Sequence, residues 1–275
     1  MNPWLETIAV SIVALSGIFL GRLFSTLRRP YWLLGYSLSL VLITMLVIAR
    51  ANNAISFLPP FCWIATGRAK CVILSLAVPM GLTTLLSRLP RKCEKVITCI
   101  LMAVVVIWFS VLPFLAPALI KGSLLNLRTI VDSDGICYQT KDYTCGPAAA
   151  VTALKKLGLP AQEGEIAILS HTSPVAGTFP RCLSTALQNR YSADGLKCQY
   201  RRFDSIVQLK SAGVTLAVVK DAFLSDHCVA VLEVSDKTVC IADPVAGRKL
   251  MSHKQFEKIW RFSGIVLKRD PTQSI

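Results

Sequence analysis

The chain has 275 residues, 53% of them hydrophobic and only 17% charged, with a formal net charge of +14. That composition excludes a disordered chain, a collagen-like fibre and an ordinary soluble enzyme. The charge is unevenly spread: residues 1–126 hold 11 basic side chains and two acids, Glu6 and Glu94, whereas residues 127–275 hold 19 basic and 14 acidic ones. The first part reads as a membrane region and the second as a water-solvated domain.

A helix crossing a hydrocarbon core about 30 Å thick needs roughly 20 apolar residues. Four segments meet that need and predict a membrane region over residues 1–122: 5–24, 31–49, 71–87 and 96–120. The first lacks a basic leading segment and a small-residue cleavage motif, so a retained anchor is expected rather than a signal peptide. It carries a GxxxG at Gly17 and Gly21, a pattern that in a greasy stretch is often only small residues. Between the second and third segments, Ala51–Gly67 is uncharged but holds Asn52, Asn53 and Pro59-Pro60. Two adjacent prolines remove two backbone donors, which predicts an interfacial or re-entrant loop.

Basic residues set the expected orientation. Arg22, Arg28 and Arg29 follow the first helix; Arg88, Arg91, Lys92 and Lys95 separate the third from the fourth. The positive-inside rule puts both loops in the cytoplasm, and both termini with the second domain on the outer side. This orientation accounts for the positive charge without a nucleic-acid partner.

From Asp132 the pattern turns to short helices and strands. Thr144–Leu157 has an apolar face formed by Ala150, Val151, Leu154 and Leu157, with Lys155 and Lys156 opposite, and Gly158 and Pro160 stop it. Residues 162–169 and 179–190 read as further helices. Residues 214–220, 228–234 and 238–242 are β-rich, with Ser235-Asp236-Lys237 as a hairpin turn. A helix over 252–260 and a strand over 263–267 close an α+β domain spanning 132–270.

The richest stretch runs from Gln139 to Cys145-Gly146-Pro147. It puts a cysteine in the first turn of a helix, where free N–H groups and the dipole favour a thiolate. Gly146 keeps the approach to the sulfur open, and Pro147 is tolerated in a first turn. The Gln139 amide offers a donor of the kind an oxyanion hole needs. A nucleophile needs a base and the base an orienting group. His227 opens a strand and Asp243 ends the next, so adjacent strands could bring the two together.

With these residues in view, the domain resembles the bacteriocin-processing endopeptidases, papain-like cysteine peptidases that cut double-glycine leader peptides and often begin peptide ABC exporters. The likeness spans about Gly135 to Leu267. It rests on the Gln139…Cys145-Gly146-Pro147-Ala148 segment, the strand from His227 to Leu232, and Ile241–Gly247. It implies an α-helical membrane region followed by an α+β papain-like peptidase domain. In that domain Cys145 is the nucleophile, His227 the base, Asp243 its orienting group and Gln139 the oxyanion donor. The family usually carries Asp before the cysteine, where this chain has Thr144. No phosphate-binding loop G-x-x-x-x-G-K-[ST] occurs, so transport would come from a separate exporter.

The expected partners are a peptide or precursor-protein substrate and the lipid bilayer, with no cofactor and no metal. Cys62, Cys71, Cys93 and Cys99 read as small apolar residues, as do Cys137, Cys182, Cys198, Cys228 and Cys240, although Cys137 and Cys182 could pair in an oxidising compartment. No CxxC supports zinc or dithiol chemistry. His171 at a helix end and His253 in a first turn carry no comparable context. The competing reading is a catalytically silent module that binds leader peptides for an exporter.

Overall fold

A computed structural model describes residues 3–28, 30–52, 55, 57–64, 68–221 and 226–270. The chain divides into two compact units, Met1–Leu119 and Ile120–Ile275.

The first unit is helical. Helices α1 (Pro3–Thr26) and α2 (Leu33–Ala51) are followed by a short α3 (Phe61–Ile64) and by α4 (Ala69–Leu86). Helix α5 (Lys92–Val106) continues through a π turn (Ile107–Val111) into α6 (Leu112–Leu119). Four helical runs, α1, α2, α4 and the continuous Lys92–Leu119, are long and apolar enough to cross a membrane, which marks the chain as a membrane protein. The Ala51–Gly67 loop expectation lies partly outside the described residues, as does Arg29. The described part of that segment includes the four-residue α3.

The GxxxG of α1 is a packing face. Gly17 and Gly21 are buried. A methyl group at either would run into the carbonyl oxygen of Leu76 or Met80 on α4. The glycines let two backbones approach closely, which is how helices associate where no hydrophobic effect drives them together. Small polar side chains line the same interior: Thr84 donates to the Gly21 carbonyl at 3.3 Å, and Ser110 in the π turn reaches Ser75 at 2.9 Å. Glu6 and Arg68 form an ion pair at the start of α1 and α4, with the guanidinium 5.5 Å from the Phe114 ring centroid.

The second unit begins with α7 (Lys121–Leu125) and a two-stranded ribbon of β1 (Ile130–Val131) and β2 (Cys137–Tyr138). Helices α8 (Cys145–Lys156), α9 (Glu163–Leu169) and α10 (Pro180–Tyr191) come next. Then follow β3 (Leu196–Arg202), α11 (Ile206–Ala212), β4 (Thr215–Lys220), β5 (Asp226–Val234), β6 (Thr238–Asp243), β7 (Gly247–Ser252), α12 (His253–Ile259) and β8 (Trp260–Arg269). The six later strands form one antiparallel sheet in the order β3-β8-β4-β5-β6-β7. This is an α+β domain.

Strand alternation sorts the two faces of the sheet. Ala230, Ala242 and Leu216 pack with Ala148, Leu154, Leu183 and Leu187 of the helices α8 and α10. Val229, Val231 and Ile241 face the other way, onto Leu209 of α11, Phe256 of α12 and Trp260. Trp260 is the hub of that second core, with Phe203 and Phe256 rings each 5.4 Å away and its indole N–H donated to Ser263. Helix α8 is buried along nearly its whole length from Gly146 to Leu154, so its alanines are there for close approach to the sheet.

Candidate active site

Cys145 is the first residue of α8, and Thr144 precedes it as the cap. Thr144 is fully buried and gives no side-chain cap to the helix. Its hydroxyl donates to the Lys141 carbonyl at 2.9 Å and accepts from the Lys141 N–H at 3.2 Å. The threonine at the departing position therefore closes the turn that delivers the cysteine. The buried Glu163 carboxylate holds the same loop one turn earlier, accepting from the N–H and the hydroxyl of Thr140 at 3.0 Å each.

His227 is the second residue of β5 and Asp243 the last of β6. The pairing of Ala230 with Ala242 puts them near one end of the sheet, where His227 Nε2 and Asp243 Oδ1 lie 2.9 Å apart. Cys145, at the start of α8, is the other charged neighbour of the imidazole and favours its protonated form. Burial opposes charge on His227, but the bonds to Asp243 and Cys145 outweigh it and push its pKa up to about 9. For Asp243 burial likewise opposes ionisation. Donation from His227, Lys249 and the Val245 N–H prevails and holds the carboxyl well below the usual carboxylate range. A cysteine, an imidazole disposed to be cationic and an ionised carboxylate are thus brought together at one site.

Gln139 follows β2 and is tied in by its backbone, whose N–H donates to the Pro244 carbonyl at 2.9 Å. Its side-chain Oε1 is buried without a hydrogen-bond partner. That bond joins the strand before the cysteine to the turn after the triad carboxylate. Gly146 serves differently from the expectation. A β-carbon there would stand 3.1 Å from Thr178, so the glycine admits the Thr172–Thr178 loop, whose two hydroxyls meet at 2.7 Å.

The remaining cysteines are set apart by environment. Nine described cysteines are free, Cys137 and Cys182 included. Burial pushes the Cys137 and Cys198 thiols up to about 12, and burial followed by the neighbouring Cys145 charge pushes Cys228 well above its ordinary value. His253 bonds the Ser235 carbonyl across the hairpin turn at 3.0 Å. Among the described residues no group of three His, Cys, Asp or Glu side chains is gathered that could hold a metal ion. Sequence reasoning missed Lys249, whose ammonium lies 2.7 Å from Asp243 Oδ2, and Glu163. A lysine two residues past a turn glycine could have suggested the first, since a tight hairpin returns it beside the carboxylate.

The chain is similar to two archaeal proteins, both described as uncharacterized. One, from Methanothermobacter marburgensis, is 27% identical over 54% of this chain and 97% of its own length. The other, from Methanothermobacter thermautotrophicus, is 26% identical over 52% of this chain and 94% of its own. Among solved structures, the peptidase domain of Streptococcus ComA, a bi-functional ABC transporter, aligns with a TM-score of 0.43 at 19% identity, over 48% of this chain and 96% of that one. A double glycine motif protease from an AMS/PCAT transporter, solved with its leader peptide, aligns with a TM-score of 0.41 at 18% identity, over 52% and 93%. A sequence profile of the Peptidase C39 family matches residues 134–274, just over half of the chain and nearly all of its second unit, and the chain belongs to that family.

Proposed function

We propose that the protein is a membrane-anchored cysteine endopeptidase that cleaves peptides at double-glycine-type leader sites. The observation that carries this reading is the His227–Asp243 hydrogen bond with Cys145 beside the same imidazole, assembled from three separate elements. The substrate class rests on the family and on the Gln139, Cys145-Gly146-Pro147 and His227 motifs.

In this reading the Cys145 thiolate attacks the scissile carbonyl carbon, and the carbonyl electron pair moves onto oxygen. The Gln139 amide and the Cys145 backbone N–H, one of the free donors at a helix start, stabilise that oxyanion. Collapse breaks the C–N bond, and the His227 imidazolium gives its proton to the leaving amine. Neutral His227 then takes a proton from water as its oxygen attacks the acyl carbon. The C–S bond breaks, the acid departs, and the thiolate–imidazolium pair is restored. Asp243 keeps the ring oriented and stabilises its positive form. No cofactor takes part.

The membrane unit would be a four-span anchor over about residues 1–122, with the peptidase domain of 132–270 on the outer side and a separate exporter as partner. Alkaline-phosphatase fusions after Ser123 should be active and fusions within Arg88–Lys95 inactive; the reverse pattern would put the peptidase in the cytoplasm.

The activity is tested on the full chain in detergent with a peptide carrying a Gly-Gly site. Cleavage is expected, together with labelling of Cys145 by a thiol-directed probe, and both should vanish in Cys145→Ala. Cleavage by that variant at the wild-type rate would end the peptidase reading. Binding of the peptide without cleavage or labelling would favour the silent binding module.

A further inference from the structure

Asp243 has more partners than a triad carboxylate requires. Oδ1 accepts from the His227 ring and from the Val245 N–H, each at 2.9 Å. Oδ2 accepts from Lys249 Nζ at 2.7 Å. Lys249 lies on β7 opposite Ile241, two residues past Gly247, which itself stands opposite Asp243. Gly247 adopts a φ of +76°, and a side chain there would strike the Tyr138 hydroxyl. The turn is thus built tight enough to fold the lysine back onto the carboxylate. The Asp243 side chain is 11% exposed and that of Lys249 46%, so the ammonium is the partner that reaches from the buried carboxylate to solvent.

We propose that Lys249 is a positioning residue of the peptidase site: it pins Asp243 with Oδ1 towards the imidazole, and its charge limits how strongly Asp243 holds His227 as a cation. The inference rests on the cysteine-peptidase reading. Its physical basis is the sharing of one anion between two cations. An Asp243 that served His227 alone would stabilise the imidazolium more strongly, and the base would release its proton to the leaving amine less readily.

The other charged or titratable groups nearby leave this role to Lys249. Cys145 of α8 is the other charged neighbour of the imidazole. On the same strand, Asp226 is paired to Arg261 of β8 at 2.9 Å, and Cys228 is packed into the core as a thiol. Tyr138 of β2 lies against the turn at Gly247. Of the described basic side chains, Lys249 is the one that reaches the second carboxylate oxygen.

The test is the pH profile of Cys145 alkylation by iodoacetamide in the full-length protein, followed by mass spectrometry of the Cys145 peptide. A thiolate–imidazolium pair gives a reactive plateau bounded by two titrations. Removing a neighbouring positive charge stabilises every protonated state, so both limbs should move to higher pH in Lys249→Met, by about half a unit to one unit for a partly solvated charge. Lys249→Arg, which keeps charge and donor, should restore the wild-type limbs. If Lys249→Met does not fold, Lys249→Gln carries the same test, because it removes the charge and keeps a donor. A wild-type plateau with limbs unmoved in the neutral variant overturns this proposal alone, since a residue that only supported the fold would lower the amplitude without moving the limbs. A wild-type Cys145 that titrates as an isolated thiol overturns the peptidase reading and the role of Lys249 with it.

Discussion

The two units bury opposite kinds of side chain. In the first, Gly17, Gly21, Ser39, Ser75, Thr84 and Ser110 are inside beside a few apolar side chains such as Met80 and Phe114, while Leu15, Phe19, Ile97 and Ile100 point outward. In the second, Phe203, Phe256, Trp260 and Tyr191 are inside, and lysines and acids cover the surface. The inversion follows from the solvent each region is built for. Lipid chains are as apolar as leucine, so helices within them gain by backbone approach and hydrogen bonds rather than by hiding large side chains. In water, hiding those side chains is the main gain. The units also differ in their buried charges: Glu6 meets Arg68, whereas Asp243 is divided among His227, Lys249 and a backbone N–H.

The sharpest break of this comparison is at the shared carboxylate. Asp243→Asn keeps the shape but loses the charge and favours the wrong imidazole tautomer, and should lower kcat/KM by up to ~10⁴-fold. Steady-state cleavage assays check it, and a variant within tenfold of wild type would detach Asp243 from the reaction. Next comes a pair of identical substitutions. Phe256→Ala should cost about 3–5 kcal/mol of stability, because it opens a cavity beside Trp260. Phe19→Ala on the outer face of α1 should cost less than about 1 kcal/mol where lipid fills the space. Denaturant unfolding of the two variants in the same detergent checks the contrast, and equal losses would refute it.

A smaller effect is expected at Gln139. Removing one oxyanion donor typically lowers kcat by ~10²–10³ with little change in KM, so Gln139→Ala should separate the two constants. A defect confined to KM would assign the side chain to substrate binding. The smallest expected effect is on the pH dependence of stability. The His227 pKa is raised in the folded protein to about 9, from an ordinary 6.5. Its contribution is therefore complete below about 6.5 and is lost as the pH rises through about 9. Thermal unfolding of wild type and His227→Gln across that interval should show the difference between them shrinking with pH. A constant difference would mean that the imidazole is not held as a cation.

Much of the peptidase unit was legible in its sequence, and the exceptions are short or polar elements. The central strands β4, β5 and β6 and part of β8 were evident from their apolar runs, as were helices α8, α9, α10 and α12. In the six-stranded sheet the strands missed, β3 and β7, are its two edges; the short ribbon strands β1 and β2 and the helix α11 were missed as well. Edge strands are kept polar to discourage unwanted pairing: on β7 the adjacent Arg248 and Lys249 hide the period of two, whereas β3 keeps it, with Leu196, Cys198 and Tyr200 alternating with Lys197, Gln199 and Arg201, but offers no apolar run. The site was legible to the extent that its residues belong to motifs, which is how His227 and Asp243 could be joined before their contact was known. Lys249 and Glu163 act through contacts 6 and 23 residues away in sequence, and neither spacing stands out in a linear reading. Gly17 and Gly21 were visible as a pattern, but periodicity does not say which helix a face meets.

The π turn at Ile107–Val111 gives the last membrane run a change of phase. An α-helix turns about 100° per residue, and a π turn takes up roughly one residue more than an α turn. Everything after Val111 is therefore rotated by about that angle relative to an uninterrupted helix. The rotation matters where the run changes character. Helix α5 has no buried residue, whereas Pro113, Phe114, Ala116 and Pro117 of α6 are buried. One continuous helix is thus exposed along its first half and packed against protein along its second. The register between those halves is held in a five-residue stretch, and straightening it into regular α-helix with its residues kept would turn Phe114 away from Val10 and Cys71, with which it now packs.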